Sequence, residues 1–176
     1  MEGTPGWVKD LIRDIPDFPQ PGVVFKDITP LLASAAALRW CVDALAKAFE
    51  HHPVDKVIGV EARGFIVAAP VAIQLGAGFV PVRKPGKLPW QVAREAYDLE
   101  YGVDSLEIHQ DALLESERVL IIDDVLATGG TAAATAQLAG ALGADVAGFG
   151  CIIELAFLGG RGKLDDVHAV SLLSYE

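Results

Sequence analysis

The chain is poor in the residues that would place it in several classes at once. It has two cysteines, Cys41 and Cys151, and both stand in apolar surroundings without the spacing of a metal-binding or disulfide framework. No apolar run reaches the ~18 residues of a membrane span, and the N-terminal stretch has no charged segment leading into an apolar core of the kind a secretory signal carries. A cytoplasmic protein that does not enter membranes is therefore expected. Basic residues are scarce too: 14 Lys and Arg against 24 Asp and Glu give a formal net charge of −10. That balance argues against non-specific nucleic-acid binding and requires a local basic cluster wherever a polyanionic substrate is to be held. Neither an internal repeat nor a low-complexity linker breaks the 176 residues, a length ample for one compact domain and short for two.

What is present is concentrated in residues 119–134, VLIIDDVLATGGTAAA. Val119, Leu120, Ile121 and Ile122 form an unbroken branched apolar run, the pattern of a parallel strand buried on both faces. Successive side chains of a regular strand point to opposite faces, so the adjacent Asp123 and Asp124 are expected to mark its carboxyl end, where the chain leaves the sheet. Ala127, Thr128, Gly129, Gly130 and Thr131 come next. Glycines let backbone N–H groups converge, the threonines add hydroxyl donors, and the alanine-rich segment beyond is a good helix, so the loop can present a helix N-terminus to a phosphate. Carboxylates that accept from ribose hydroxyls, beside a loop that holds a 5′-phosphate, suit a phosphorylated sugar. A Gly-Gly pair between a strand and a helix, taken alone, is usually just a turn. The loop also lacks the Lys-Ser/Thr ending of a nucleotide-triphosphatase loop and the spaced glycines of a dinucleotide fingerprint.

The remaining pattern alternates strands and helices. Residues 6–13 read as a short amphipathic helix, and the Pro-rich stretch 15–22 as an irregular covering that can be neither helix nor inner strand. Residues 23–28 read as a short extended piece, in which Phe25 taken alone is better explained as core packing. Ser34 caps a helix carrying Leu38, Cys41, Val42, Leu45 and Phe49 at helical spacing. Residues 56–60 form a strand ending in the polar cluster Glu61, Ala62, Arg63, Gly64 and Phe65, before an apolar helix over residues 66–75. Because ligands bind at the carboxyl ends of strands in an open α/β sheet, Glu61 and Arg63 share an edge with Asp123 and Asp124. After a strand at 78–82, three cations, Arg83, Lys84 and Lys87, stand among two prolines and a glycine; the segment is either a mobile loop closing over anions or a solvated charged turn. Residues 97–102 and 106–109 make a hairpin-like excursion whose second arm has a half-buried face. A strand over 145–155, a turn at 161–164 and a short strand at 169–173 complete an α/β fold: a single domain with a mainly parallel sheet flanked by helices.

The 119–134 stretch resembles the binding motif for 5-phosphoribosyl 1-diphosphate (PRPP) of type I phosphoribosyltransferases. The resemblance extends to nearly the whole chain. PDFPQPGVVFKDITPLL (residues 16–32), EARGF, RKPGKLP, YDLEYG, LEIHQDAL and SLLSYE are, in this order, similar to the adenine phosphoribosyltransferase family. That family implies conversion of adenine and PRPP to AMP and pyrophosphate with Mg²⁺, by a homodimer. It implies a five-stranded parallel core, a small N-terminal hood over the base (residues 1–33) and a flexible catalytic loop region (residues 83–105). Residue by residue, it implies that Asp123 and Asp124 hold the ribose hydroxyls and that residues 127–131 grip the 5′-phosphate. Arg63, in a segment that often carries a non-proline cis peptide, is to bind pyrophosphate, with Arg83, Lys84 and Lys87 adding charge. Glu100 matches the acid that contacts N7 of the base, and Val24, Phe25 and Lys26 match the adenine pocket, Phe25 stacking on the ring. Metal ligands from side chains are not implied, since Mg²⁺ bridges substrate oxygens and keeps much of its water. Lys26 stands where many relatives have Arg, and Glu61-Ala62 where others have Asp-Ser.

Two other functions are compatible with part of this pattern. A phosphoribosyltransferase for hypoxanthine, xanthine or guanine would share the PRPP motif and differ in the base pocket. A non-catalytic PRPP-sensing regulator would carry a basic DNA-binding module and dispense with the loop and Glu100, whereas this chain has the latter two and lacks the module.

Overall fold

The branched apolar runs assemble side by side into one sheet of five parallel strands. The computed structural model describes residues 4–98, 103–164 and 167–176. In chain order the elements are α1 (Gly6–Lys9), β1 (Arg13–Pro16), β2 (Val24–Asp27), α2 (Thr29–Ala33), α3 (Ala35–Phe49), β3 (Lys56–Val60), α4 (Arg63–Leu75), β4 (Gly78–Val82), β5 (Val92–Asp98), β6 (Val103–His109), β7 (Arg118–Leu126), α5 (Gly130–Ala141), β8 (Asp145–Leu155) and β9 (Ala169–Tyr175), with short 3-10 turns between β8 and β9. The large sheet has the order β4-β3-β7-β8-β9, and all four neighbouring pairs are parallel. The chain therefore runs outward from β3 to β4 on one side and from β7 through β8 to β9 on the other. The crevice between β3 and β7, at their carboxyl ends, is the switch point where such sheets bind ligands.

The central strand shows why the core has two layers. Val119, Leu120, Ile121 and Ile122 are completely buried. Leu120 and Ile122 pack with Leu45, Phe49, Val67 and Val71 of α3 and α4, while Val119 and Ile121 pack on the opposite face with Leu138, Leu106 and Ile108. This is the alternation of a pleated strand covered on both sides. Ser34 caps α3 as its position predicts, its Oγ accepting from the Ala37 amide at 3.3 Å. Cys41 and Cys151 are free and buried; desolvation pushes the Cys41 thiol up to about 12 and the Cys151 thiol higher still. Among the described residues, no helix is long and apolar enough to cross a membrane.

Several local expectations are corrected. The helix expected over 6–13 is only Gly6–Lys9, and Arg13 opens β1, which pairs antiparallel with β2; the Pro-rich stretch is strand at its start because a two-stranded ribbon has no inner strand for proline to disrupt. Phe25 is half-buried, not core. Helix α4 starts at Arg63 instead of residue 66. A β5–β6 hairpin forms, but its first arm is Val92–Asp98 where residues 97–102 were expected, residues 99–102 lying outside the described residues, and in its second arm residues 106–108 are buried on both faces. Leu106, Glu107 and Ile108 are all inaccessible, the Glu107 carboxylate being tolerated there because Arg94 and the Gly86 amide bond it.

The candidate active site at the sheet switch point

Strand β7 does not end at the acid pair. Its ladder with β3 stops at Ile122, opposite Gly59, but its ladder with β8 continues through Asp123 opposite Cys151 to Leu126 opposite Glu154. Asp123 and Asp124 thus sit on a strand paired on one side and open to the switch-point crevice on the other, both buried. Asp123 Oδ1 accepts from the Asp124 amide at 2.8 Å. Burial, and then the neighbouring Asp124 charge, hold the Asp123 carboxyl well above the usual carboxylate range. Arg63, first residue of α4, follows the cis Glu61–Ala62 peptide at the end of β3. Its Nε lies 2.7 Å from Asp124 Oδ2. The contact has ion-pair distance but not hydrogen-bond alignment, so this buried oxygen has no hydrogen-bond partner among the described residues. Gly64 is what permits the approach of α4: a Cβ there would come within 2.8 Å of Asp123 Oδ1.

The 127–131 loop follows directly. Gly129, at φ 77°, is the N-cap of α5, a left-handed conformation that glycine adopts at no steric cost. Asp123, Thr128, Gly129, Gly130 and Thr131 line a small cavity of about 60 Å³, beside amides at a helix start that suit an anion. The sequence-predicted acid pair, loop and Arg63 are therefore brought to one edge.

The cations behave differently. Arg83 donates to both Glu61 oxygens, at 2.9 and 3.3 Å, and to the Lys87 carbonyl at 3.1 Å. The Lys84 amide donates to Glu61 Oε2 at 2.9 Å. These bonds, Arg83's foremost, hold the Glu61 carboxyl below its usual range. Lys84 Nζ is bound by the Asp104 carboxylate and, at 2.8 Å, by the Tyr97 hydroxyl, which in turn lies 3.4 Å from Thr131 Oγ1. Arg83 and Lys84 are thus satisfied by carboxylates, while Lys87 is exposed. The sequence placed Glu61 at this edge but gave no sign that it would capture Arg83, and nothing in the pattern singled out Tyr97 or Asp104 as partners of Lys84; only the packing of hairpin against loop does. Glu100 lies outside the described residues, between the ends of β5 and β6.

At the small two-stranded sheet, the Phe25 ring lies 5.2 Å under the Arg63 guanidinium and edge-on to Phe18, also at 5.2 Å. Val24 is half exposed. Lys26 turns away from this ring: its Nζ is 2.6 Å from Asp14 and 4.3 Å over the Tyr175 ring, tying β2 to β1 and to the end of β9. Phe25, Arg63 and Asp124 form one continuous line from the small two-stranded sheet to the central strand. Among the described residues, no group of three side chains is arranged to hold a metal ion.

This sheet order, with an acid pair and a glycine-threonine loop at its switch point, is the type I phosphoribosyltransferase fold. A model of the phosphoribosyl transferase domain matches residues 27–175. Adenine phosphoribosyltransferase from Acaryochloris marina is 57% identical over 168 residues, covering 96% of this chain and 99% of its own; that of Synechocystis sp. is 57% identical over 170 residues with the same coverage. Among solved structures, adenine phosphoribosyltransferase from Thermoanaerobacter pseudethanolicus superposes with a TM-score of 0.94 at 52% identity, over 97% of this chain and 99% of the other. The Saccharomyces cerevisiae protein, solved with an imino-altritol bisphosphate and adenine, gives 0.90 at 38%, over 96% and 97%. The chain belongs to the adenine phosphoribosyltransferase family.

Proposed function

We propose that this protein transfers the 5-phosphoribosyl group of PRPP to adenine, giving AMP and pyrophosphate in purine salvage. The observation that carries the proposal is the line Phe25–Arg63–Asp124 meeting the 127–131 loop at the sheet switch point, which offers in sequence a stacking face, a cation, an acid pair and an anion cradle. In the reaction the C1′–O bond to pyrophosphate breaks with the electron pair leaving on oxygen, and C1′ bonds to N9 of adenine. Residues 127–131 hold the 5′-phosphate, Asp123 and Asp124 accept from the ribose hydroxyls, and Phe25 stacks on the base next to main-chain groups of Val24 and Lys26. Two carboxylates buried side by side repel each other, and a positive charge developing at C1′ relieves that repulsion, so the pair favours the oxocarbenium-like transition state over the ground state. Arg63 takes the leaving pyrophosphate, and Arg83, Lys84 and Lys87 add charge when residues 83–105 close as a flexible loop over it, under a hood formed by residues 1–33. The base enters as its N7–H tautomer with the N9 lone pair free, and Glu100 accepts the N7 proton as N9 bonds to C1′. Mg²⁺ neutralises pyrophosphate charge when bound. The residues would fit it as a substrate-borne ion: Asp124 Oδ2, buried beside Arg63 and without a hydrogen-bond partner among the described residues, would accept from a water carried by the ion, with no cage of side chains needed. We further assign the protein to the cytoplasm and to a homodimer.

The test is turnover by the purified protein with PRPP, Mg²⁺ and a panel of bases. Adenine offers an amino donor at C6 where hypoxanthine and guanine offer a carbonyl, so backbone acceptors would face an acceptor in the wrong base. Its kcat/KM is expected to exceed theirs by at least ~10³-fold, a ratio that hydrogen-bonded sites reach and apolar shape does not. Comparable turnover of hypoxanthine would instead identify a transferase for another purine.

A further inference from the structure

The 3-10 turn Gly160–Lys163 contributes nothing to the site described above, yet its backbone runs directly behind the 127–131 loop. A Cβ on Gly160 would collide with the Ala127 carbonyl oxygen, and one on Gly129 with the Gly160 carbonyl oxygen. Two main chains are in contact there with no side chain between them. The next residue pins the turn. Arg161 pairs with both oxygens of Glu154, with Nε at 2.8 Å, and donates to the Ala169 carbonyl at 2.7 Å and Ser171 Oγ at 3.2 Å. Ser171 Oγ donates to Glu154 at 2.7 Å. Arg161 holds the Glu154 carboxyl below its usual range, so the pair is ionised through neutral pH. Glu154 is buried in β8 opposite Leu126, the residue immediately before the loop, and Ser171 lies in β9.

We infer that Glu154, Arg161, Ser171 and Gly160 form a buttress that sets the position of the loop amides holding the 5′-phosphate, with Arg161 and Gly160 as positioning residues. A loop that grips an anion through backbone N–H groups has no side chain to readjust if it drifts, and its glycines give it the freedom to drift. Its rigidity must come from behind, and here it comes from strands β8 and β9 through one arginine. The inference rests on the assignment of residues 127–131 to the 5′-phosphate.

The experiment compares wild type, Arg161→Gln, Arg161→Lys, Ser171→Ala and Gly160→Ala by calorimetric binding of ribose 5-phosphate and by steady-state kinetics, each variant first checked for cooperative unfolding. Arg161→Gln and Gly160→Ala are expected to weaken ribose 5-phosphate and raise KM for PRPP by ~10-fold to ~100-fold, the range typical of lost outer-shell support, while KM for adenine and kcat at saturating PRPP stay within ~3-fold. Arg161→Lys should recover part of the loss, and Ser171→Ala, which removes a single hydroxyl and so retains the fold if Arg161→Gln does not, should lose ~3-fold. Folded variants that bind ribose 5-phosphate like wild type overturn the buttress. So does an equal loss of PRPP and adenine binding, which is what general loosening of the fold produces. Wild type that fails to bind ribose 5-phosphate overturns instead the phosphate assignment beneath it.

Discussion

Asp123 is the residue at which stability and chemistry oppose each other most directly. Its folded carboxyl holds a proton more tightly than the unfolded chain does, because burial and the Asp124 charge raise its pKa. The stability associated with the protonated form is therefore complete at low pH and is lost as pH rises through the folded value. Asp123→Asn keeps the oxygen that accepts from the Asp124 amide and removes the charge. It should unfold about 2–4 °C above wild type at pH 7, the shift that ~1 kcal/mol gives at this size, with the gap closing toward pH 4. Its kcat/KM should fall by at least ~10²-fold, as for loss of one transition-state stabiliser. Calorimetric melts across pH and a single-turnover assay check both; a melt lowered at pH 7 would mean that the buried charge is compensated in the native state.

At the scale of an element, the cation-bearing segment after β4 is held by carboxylates: Arg83 by Glu61, Lys84 by Asp104. For these groups to meet pyrophosphate they must exchange those partners for phosphate oxygens. If Lys84 meets pyrophosphate, Asp104 competes with the substrate for it. Asp104→Asn should lower KM for PRPP by ~2-fold to ~5-fold, the worth of a partly exposed ion pair, and leave KM for adenine unchanged. An unchanged or raised KM for PRPP would show that Lys84 serves the hairpin and not the ligand. The Glu107 carboxylate, itself buried, is bonded by Arg94 across the β5–β6 hairpin and by the Gly86 amide, and so ties the base of the same segment to β6.

For the whole molecule, the net charge of −10 makes a local gathering of cations such as Arg63, Arg83, Lys84 and Lys87 necessary for a polyanionic substrate, and a partner subunit that lends loop cations would reinforce it. Helix α4 carries Ile66 and Ile73 on one exposed face, Ile73 at 81% accessibility, which suits burial against a second copy. Sedimentation should show a dimer at assay concentration, and Ile73→Glu should shift it toward monomer with loss of activity. A fully active monomer would separate catalysis from assembly.

The sequence alone determined what depends on neighbours in the chain. The buried central strand, the capped α3 helix, the glycine-threonine loop opening α5 and the alternation of strand and helix were all legible, because period-two and period-3.6 apolar patterns and local turn chemistry encode them. The match of motifs along the chain made the family legible too. Tertiary structure decided the rest. Periodicity reports which face a residue occupies but not how far the neighbouring strand extends, so it could not show that β7 continues past β3 on the β8 side with Asp123 and Asp124 still in the ladder. Arg63 and Asp124, sixty-one positions apart, meet only because the order β4-β3-β7 puts both at one switch point. The turning of Lys26 toward Asp14 and Tyr175, the capture of Arg83 by Glu61 and the close approach of the Gly160 backbone to the 127–131 loop are contacts between segments distant in the chain. No local preference favours any of them; they follow from which surfaces the packed sheet brings within reach.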